Sequence, residues 1–290
     1  VTGDDRELAE IAGRTLVGLA KVRDQHSQEN KEHVNVPGFT ESKLEEATLA
    51  KAVDDLDPRA IILSAQDGRT VVRRNAAALL GLLAKNEEER TSAVLALIPL
   101  SKDPNNDVRR TVIHALGRLG GVYVIDVLIT ASADSSRGIA DIARKGLLAV
   151  CKTHPQEVLS AIRPQQSTAS HRAVLEGLSS IGKKGSKGLA QQIALANHPL
   201  QRRLGAQALG RNGSDASGEV NVLIGLLDDM VEDVRVHACR ALGAIGNNSE
   251  EVLSGLYASR NDSVLSVRNE ANWALNRLSG GVEPDMVIEE

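Results

Sequence analysis

From Val108 to Leu119 one set of apolar residues, Val108, Val112, Ala115, Leu116 and Leu119, falls at offsets 0, 4, 7, 8 and 11 from the first. Such spacing places them on one face of a helix with a period near 3.6. The same face returns along the chain. Val108 to Gly117 reads Val-Arg-Arg-Thr-Val-Ile-His-Ala-Leu-Gly, and Val234 to Gly243 reads Val-Arg-Val-His-Ala-Cys-Arg-Ala-Leu-Gly. A further copy runs from Val72 to Gly81, and weaker ones start at Ile139, Ser170, Gln201 and Val267. The leucines that anchor the seven copies, Leu80, Leu116, Leu147, Leu178, Leu209, Leu242 and Leu275, are separated by 36, 31, 31, 31, 33 and 33 residues. A period of that length accommodates two helices and their turns.

Ahead of each copy lies a shorter apolar stretch, such as 93–101, 124–131, 220–227 and 251–258, and then a polar turn such as Lys102-Asp103-Pro104-Asn105-Asn106-Asp107. Each unit is therefore expected to be a short first helix, a turn and a longer second helix. Pro199 suits a first helical turn, where its fixed φ is already helical. Asp107 and Asp233 are expected to precede their second helices as capping residues. Residues 56–280 hold about seven such units. Residues 1–55, with helical patterns at 8–20 and 44–53 around a polar loop, are expected to form a capping unit, and 281–290 an acidic tail.

Stacking such units turns each repeat position into a column. Five residues before the second-helix anchor stand Asp67, Asp103, Asp134, Gln165, Ala196, Asp229 and Asp262, and one residue after it Arg73, Arg109, Ala140, His171, Arg202, Arg235 and Arg268. Paired columns of opposite charge predict a ladder of ion pairs between neighbouring units. Offsets 2, 6 and 10 point away from the core. They carry Arg74, Arg110, Arg118, Lys145, Arg172, Arg203, Arg211, Arg240 and Arg277 against Asp141 and Glu176, with Trp273 in the same set. This local cationic excess stands out in a chain whose formal net charge is −4.

Composition narrows the classes. Aromatic residues make up 1% of the 290 residues, so the core must be built from Leu, Ala, Val and Ile in thin, closely packed layers. Cys151 and Cys239 both fall in apolar helical stretches and read as small buried hydrophobes, with no disulfide framework. No run of about 18 apolar residues suggests a membrane span, and the first residues lack the pattern of a signal peptide, so a cytoplasmic location is expected.

The Asp of the inter-helix turn, the Val-Arg that opens the second helix and the Ala-Leu-Gly that ends it resemble the HEAT-repeat family, in particular the HEAT-like type of phycobilin lyases and many scaffolds. The resemblance covers roughly residues 56–280. It implies an all-α fold, a right-handed α-α superhelix or solenoid of stacked HEAT-like helix pairs, with the Asp and Arg columns as structural ladder and the second helices lining the concave face. Pro99 falls where first helices of this family often kink. On that face the residues expected to meet a partner are Arg74, Arg110, Arg118, Arg172, Arg203, Arg211, Arg240 and Trp273.

Candidate chemistry is sparse. Deoxyhypusine hydroxylase, on a related fold, holds two irons with His-Glu pairs, whereas none of the seven histidines here is followed by Glu. His26 and His33 match no recognised zinc spacing, and His114, His171 and His237 lie on separate units. The stretch Gly182-Lys183-Lys184-Gly185-Ser186-Lys187-Gly188 lacks phosphate-loop spacing and reads as a flexible turn. DNA glycosylases with HEAT-like repeats need aromatic side chains around a base, and four dispersed aromatics do not suggest such a pocket. The expectation is thus a protein or peptide scaffold without enzymatic activity, cofactor or metal, binding an acidic or extended segment. Nucleic-acid backbone binding through the same arginines is the alternative, and a lyase or glycosylase-like activity ranks third.

Overall fold

The computed structural model describes residues 58–84 and 86–280; the expectations for 1–55 and for the acidic tail lie outside the described residues. Among the described residues there is helix and no strand. First and second helices alternate. They are α1 (Pro58–Ser64), α2 (Thr70–Leu83), α3 (Glu87–Leu97), α4 (Asn106–Leu119), α5 (Ile125–Ala131), α6 (Arg137–Thr153), α7 (Pro155–Ser160), α8 (Thr168–Leu178), α9 (Gly182–Leu195), α10 (Pro199–Asn212), α11 (Val220–Gly225), α12 (Glu232–Ile245), α13 (Glu250–Ser259) and α14 (Leu265–Leu278). The even-numbered helices are the predicted second helices. No described helix is long and apolar enough to cross a membrane.

The chain divides into two compact units, the first ending at Gly146 and the second beginning at Leu147. In the first unit α2 packs on α4, and α3 packs on both. In the second, α10 packs on α12 and α12 on α14, while α7 packs on α9 and α11 on α13. Second helices thus stack on second helices and first on first, the arrangement of an α-solenoid. The periodic face found in the sequence is the buried one: Val108, Val112, Ala115, Leu116 and Leu119 of α4 all lie in the core. Corresponding residues of α12 and α14, among them Val234, Leu242, Val267 and Leu275, do the same.

Local sequence sets the helix ends. Asn105 caps α4, its side chain accepting from the amides of Asp107 and Val108 at 2.9 and 3.2 Å. Asp107 and Asp233 lie inside the first turns of α4 and α12 rather than ahead of them, which corrects their expected role as caps. There they still meet the positive end of the helix dipole. Pro199 does begin α10. Pro99 has no N–H to donate and its ring opposes the carbonyl four residues back, so α3 ends at Leu97 and the chain goes on as a 3-10 turn over Pro99–Lys102. Gly246, at φ +79°, closes α12 in the left-handed conformation and donates its amide to the Leu242 carbonyl.

The Gly182–Gly188 stretch is the other correction. It forms the first half of α9 rather than a turn. Gly185 is buried so close to Ile181 that a Cβ there would lie 2.6 Å from the Ile181 side chain, and the Ser186 hydroxyl bonds back to the Gly182 carbonyl at 3.0 Å. Gly185 is a packing position, whereas Gly182, at φ +65°, begins the helix in the left-handed region.

Candidate binding face and the ladder beneath it

Arg73, Arg109, Arg202 and Arg235 each make two kinds of bond. Nη1 of Arg73 donates to the Asp67 and Gly68 carbonyls of its own turn, both at 2.9 Å, while Nε and Nη2 donate to the Asp103 carboxylate of the next turn at 2.7 and 3.3 Å. Arg109 does the same, bonding the Asp103 carbonyl at 2.9 Å and the Asp134 carboxylate at 3.0 and 3.2 Å. In the second unit Arg202 spans from the Ala196 and Asn197 carbonyls to Asp229, and Arg235 from the Asp229 carbonyl to Asp262. Arg268 bonds the Asp262 and Ser263 carbonyls at 2.7 and 3.0 Å. The aspartates also shape their turns. Oδ1 of Asp103, Asp134, Asp229 and Asp262 each accepts the amide two residues on, at 2.8 to 2.9 Å. One carboxylate therefore fixes its own turn and ties it to the unit before.

These bonds set the electrostatics. The Arg109 guanidinium holds the Asp134 carboxyl below the usual carboxylate range, as Arg235 does for Asp262. Burial pushes Asp103 and Asp229 upward, but the bonds from Arg73 and Arg202 together with the turn amides outweigh it, and both end lowered. The bond to Asp103 raises Arg73, and that to Asp262 raises Arg235. The rungs are therefore ionised structural pairs.

A second regularity lies between the second helices. At offset 9 stand Gly81, Gly117, Gly210 and Gly243, each facing a small residue at offset 7 of the next second helix. A Cβ on Gly81 would lie 2.7 Å from the Ala115 Cβ, and one on Gly210 or Gly243 2.8 Å from the Cα of Ala241 or Ala274. Gly117 meets the Cα of Gly146.

The outward face of the second helices carries the predicted binding residues. In the first unit Arg110 and Arg118 are exposed and Arg74 is half-buried, with Arg110 3.8 Å from Asp107. In the second unit Arg172 and Arg211 are exposed. Arg203 is half-buried and paired with Asp233 at 3.0 Å, and Arg240 is paired with Glu270, its Nε 3.0 Å from the carboxylate. Trp273 is 42% exposed, with the Arg277 guanidinium 5.7 Å from its ring centroid. Its inner edge rests over Gly243, where a Cβ would come within 2.9 Å of the ring. Trp273 is thus seated and still accessible.

The cationic excess is smaller than the columns suggested, because Asp233 and Glu270 reach across from the following unit. Both pairs join residues 30 apart, Arg203 to Asp233 and Arg240 to Glu270, the separation that also joins Arg73 to Asp103, but their acids stand outside the columns compared. Sequence reasoning also missed exposed apolar side chains at the turns and helix ends of the second unit. Met230 is 97% exposed, at a position held by Pro104, Ser135 and Ser263 in other units, and Leu195 and Leu265 are exposed as well. A groove of about 730 Å³ in the first unit lies between the turns at Lys102–Pro104 and Ala133–Ser135, but the charges of Arg109, Asp103 and Asp134 in its wall are already paired in rungs. Among the described residues no group of His, Cys, Asp and Glu converges as metal ligands.

Known proteins place the chain. Among solved structures it is similar to human deoxyhypusine hydroxylase, at 19% identity and TM-score 0.35 over 95% of this chain and 97% of that one. It is similar to importin beta at 16% identity and TM-score 0.40, over 83% of this chain and 39% of importin beta. It also resembles a chain of the CpcE and CpcF complex of phycocyanin lyase from Nostoc sp. PCC7120, at 20% identity and TM-score 0.33, over 87% and 98%. A search of curated protein sequences finds no match. The sequence profile of HEAT repeats matches residues 56–147 and 186–276, more than half of the chain. With the Asp–Arg ladder and the stacked helix pairs, that match identifies the chain as a member of the HEAT-repeat family.

Proposed function

We propose that this chain is a non-enzymatic scaffold whose second-helix faces bind an acidic, extended segment of a partner protein. The fold is one used for protein interaction, and the partner's chemistry is read from the exposed side chains. The observation that carries the reading is Trp273, held over Gly243 yet 42% exposed, with Arg277 stacked on it. A rigid, partly exposed indole among arginines is the kind of residue that anchors interfaces. Arg172 and Arg211 on the same unit add positive charge for the segment's carboxylates. A cytoplasmic location suits the thiols of Cys151 and Cys239, both buried and free.

The test is fluorescence anisotropy with a labelled Asp/Glu-rich peptide and, separately, a labelled duplex oligonucleotide. The peptide should bind, and Trp273→Ala with Arg172→Glu and Arg211→Glu should abolish binding while far-UV circular dichroism is unchanged. Binding of the oligonucleotide alone, with affinity falling steeply as salt is raised, would replace this reading with phosphate-backbone recognition.

A further inference from the structure

Inside the second unit the stacking devices fail together where α8 meets α10. At the junction of α8 with α10, the rung positions are His171 and Ala196 instead of Arg and Asp, and offset 9 is Ser179 instead of Gly. No ion pair can form between His171 and Ala196. His171 turns back to its own turn, its Nε2–H donating to the Arg163 carbonyl at 2.9 Å. Without the glycine, α8 touches α10 less extensively than α10 touches α12. Neutral bonds stand in for the rung: the Gln201 amide donates to the Ser160 and Ile162 carbonyls at 3.2 and 3.1 Å, and the Asn212 amide to the Leu178 carbonyl at 2.8 Å. Such bonds are weaker than the charge-assisted forks of the flanking rungs.

The helix between them is weak on its own account. The first half of α9 holds Gly182, Gly185 and Gly188, and glycine costs a helix more backbone entropy than any other residue except proline. Lys183, Lys184 and Lys187 crowd the same end, where the helix dipole repels positive charge. α9 therefore relies on the packing of Leu189, Ala190 and Ile193.

We infer that the α8–α10 junction is a built-in yielding point, at which residues 161–198 open locally while α10, α12 and α14 stay closed. The opening separates Arg172 from Arg203 and Arg211, so it sets the spacing of the outward arginines in this unit. It stands whatever those arginines bind.

Hydrogen–deuterium exchange read by mass spectrometry on the intact chain tests this. Amides of α8 and α9 should exchange about ten-fold faster, or more, than those of α10 and α12. The variant His171→Arg with Ala196→Asp rebuilds the rung and should slow exchange in α8 and α9 about ten-fold, leaving α12 and α14 unchanged. Ser179→Gly, a milder change that restores the close contact, should slow it in the same direction. Equal exchange across the four helices of the unaltered chain overturns the inference. So does a rebuilt rung, seen as a raised melting temperature, that leaves the exchange of α8 and α9 as it was.

Discussion

Two stretches of the second unit follow the same helix-pair plan and are held together differently. From α10 to α14 each turn is tied to the next by an Arg–Asp fork, and each second helix meets the next through a glycine and an alanine. From α7 to α10 the helices are present and the core is filled, with Val158, Leu159, Val174 and Leu178 fully buried, but fork and glycine are both missing. The HEAT profile follows part of this contrast, since it matches residues 56–147 and 186–276 and leaves α7 and α8 outside while taking in most of α9. Burial of a periodic face is thus enough to build a repeat, whereas the polar and small-residue contacts decide how firmly one repeat grips the next. In a stacked array those nearest-neighbour terms govern where the structure gives way.

Removing a rung is the strongest way to break the contrast. The Asp229 side chain is only 6% exposed, so Arg202→Ala strands a carboxylate and should cost about 3 kcal/mol in urea unfolding. His171→Ala, at the equivalent position of the yielding junction, removes one neutral bond and should cost about 1 kcal/mol or less. Equal losses would show that the forks add nothing. The second-helix contact ranks next. Gly210→Ala places a methyl 2.8 Å from the Ala241 Cα, backbone that cannot step aside, and should cost about 1–3 kcal/mol by thermal unfolding. Ser179→Ala, at the same offset of the loose junction, should stay within about 0.5 kcal/mol.

The difference between the two stretches could be read before the structure in part. Aligning the copies on their leucines put Gln165, Ala196, Ala140 and His171 in the ladder columns, so the gaps in the ladder were plain. A column is a statement about equivalent positions in parallel stacks, and the ladder obeys it. The neutralisation of Arg203 by Asp233 and of Arg240 by Glu270 was hidden because those acids stand one residue before and three after their anchors, outside the columns compared. The first half of α9 was misread because glycine and lysine are poor local signals for helix, and only the buried neighbours of Gly185 explain them. Capping of α4 by Asn105 instead of Asp107 is a shift of two residues within a polar turn, too small for periodicity to resolve.

Acid should narrow the contrast. Asp134, Asp229 and Asp262 are held below the ordinary carboxylate value in the folded chain. A depressed folded pKa contributes stability that is complete above the unfolded value and is lost as pH falls from there through the folded value. The laddered stretches should therefore keep their advantage from pH 7 down to about 5 and surrender it progressively below about 4. Urea midpoints of Arg202→Ala and the unaltered chain, measured by circular dichroism across that range, should converge at low pH. A gap that stays constant to pH 2 would mean that the forks do not work through charge.

The finest test uses the two thiols as internal reporters. Burial pushes Cys151 up to about 12 and Cys239 up to about 11, and both side chains are fully covered. From static burial alone Cys151 should be the slower to react, since a thiol attacks as its thiolate. Its neighbours argue the opposite. The Cys151 sulfur lies against Gly177 of α8, on the loose side of the unit, so a Cβ there would come within 2.5 Å of it. Cys239 belongs to α12, between two complete forks. Where reaction requires local opening, its rate follows the free energy of that opening rather than the depth of the closed state. Under native conditions with excess iodoacetamide, peptide-resolved mass spectrometry should find Cys151 alkylated a few-fold before Cys239, and the His171→Arg/Ala196→Asp variant should reduce that lead. Alkylation of Cys239 first would place the weak point in the laddered stretch and reverse the comparison.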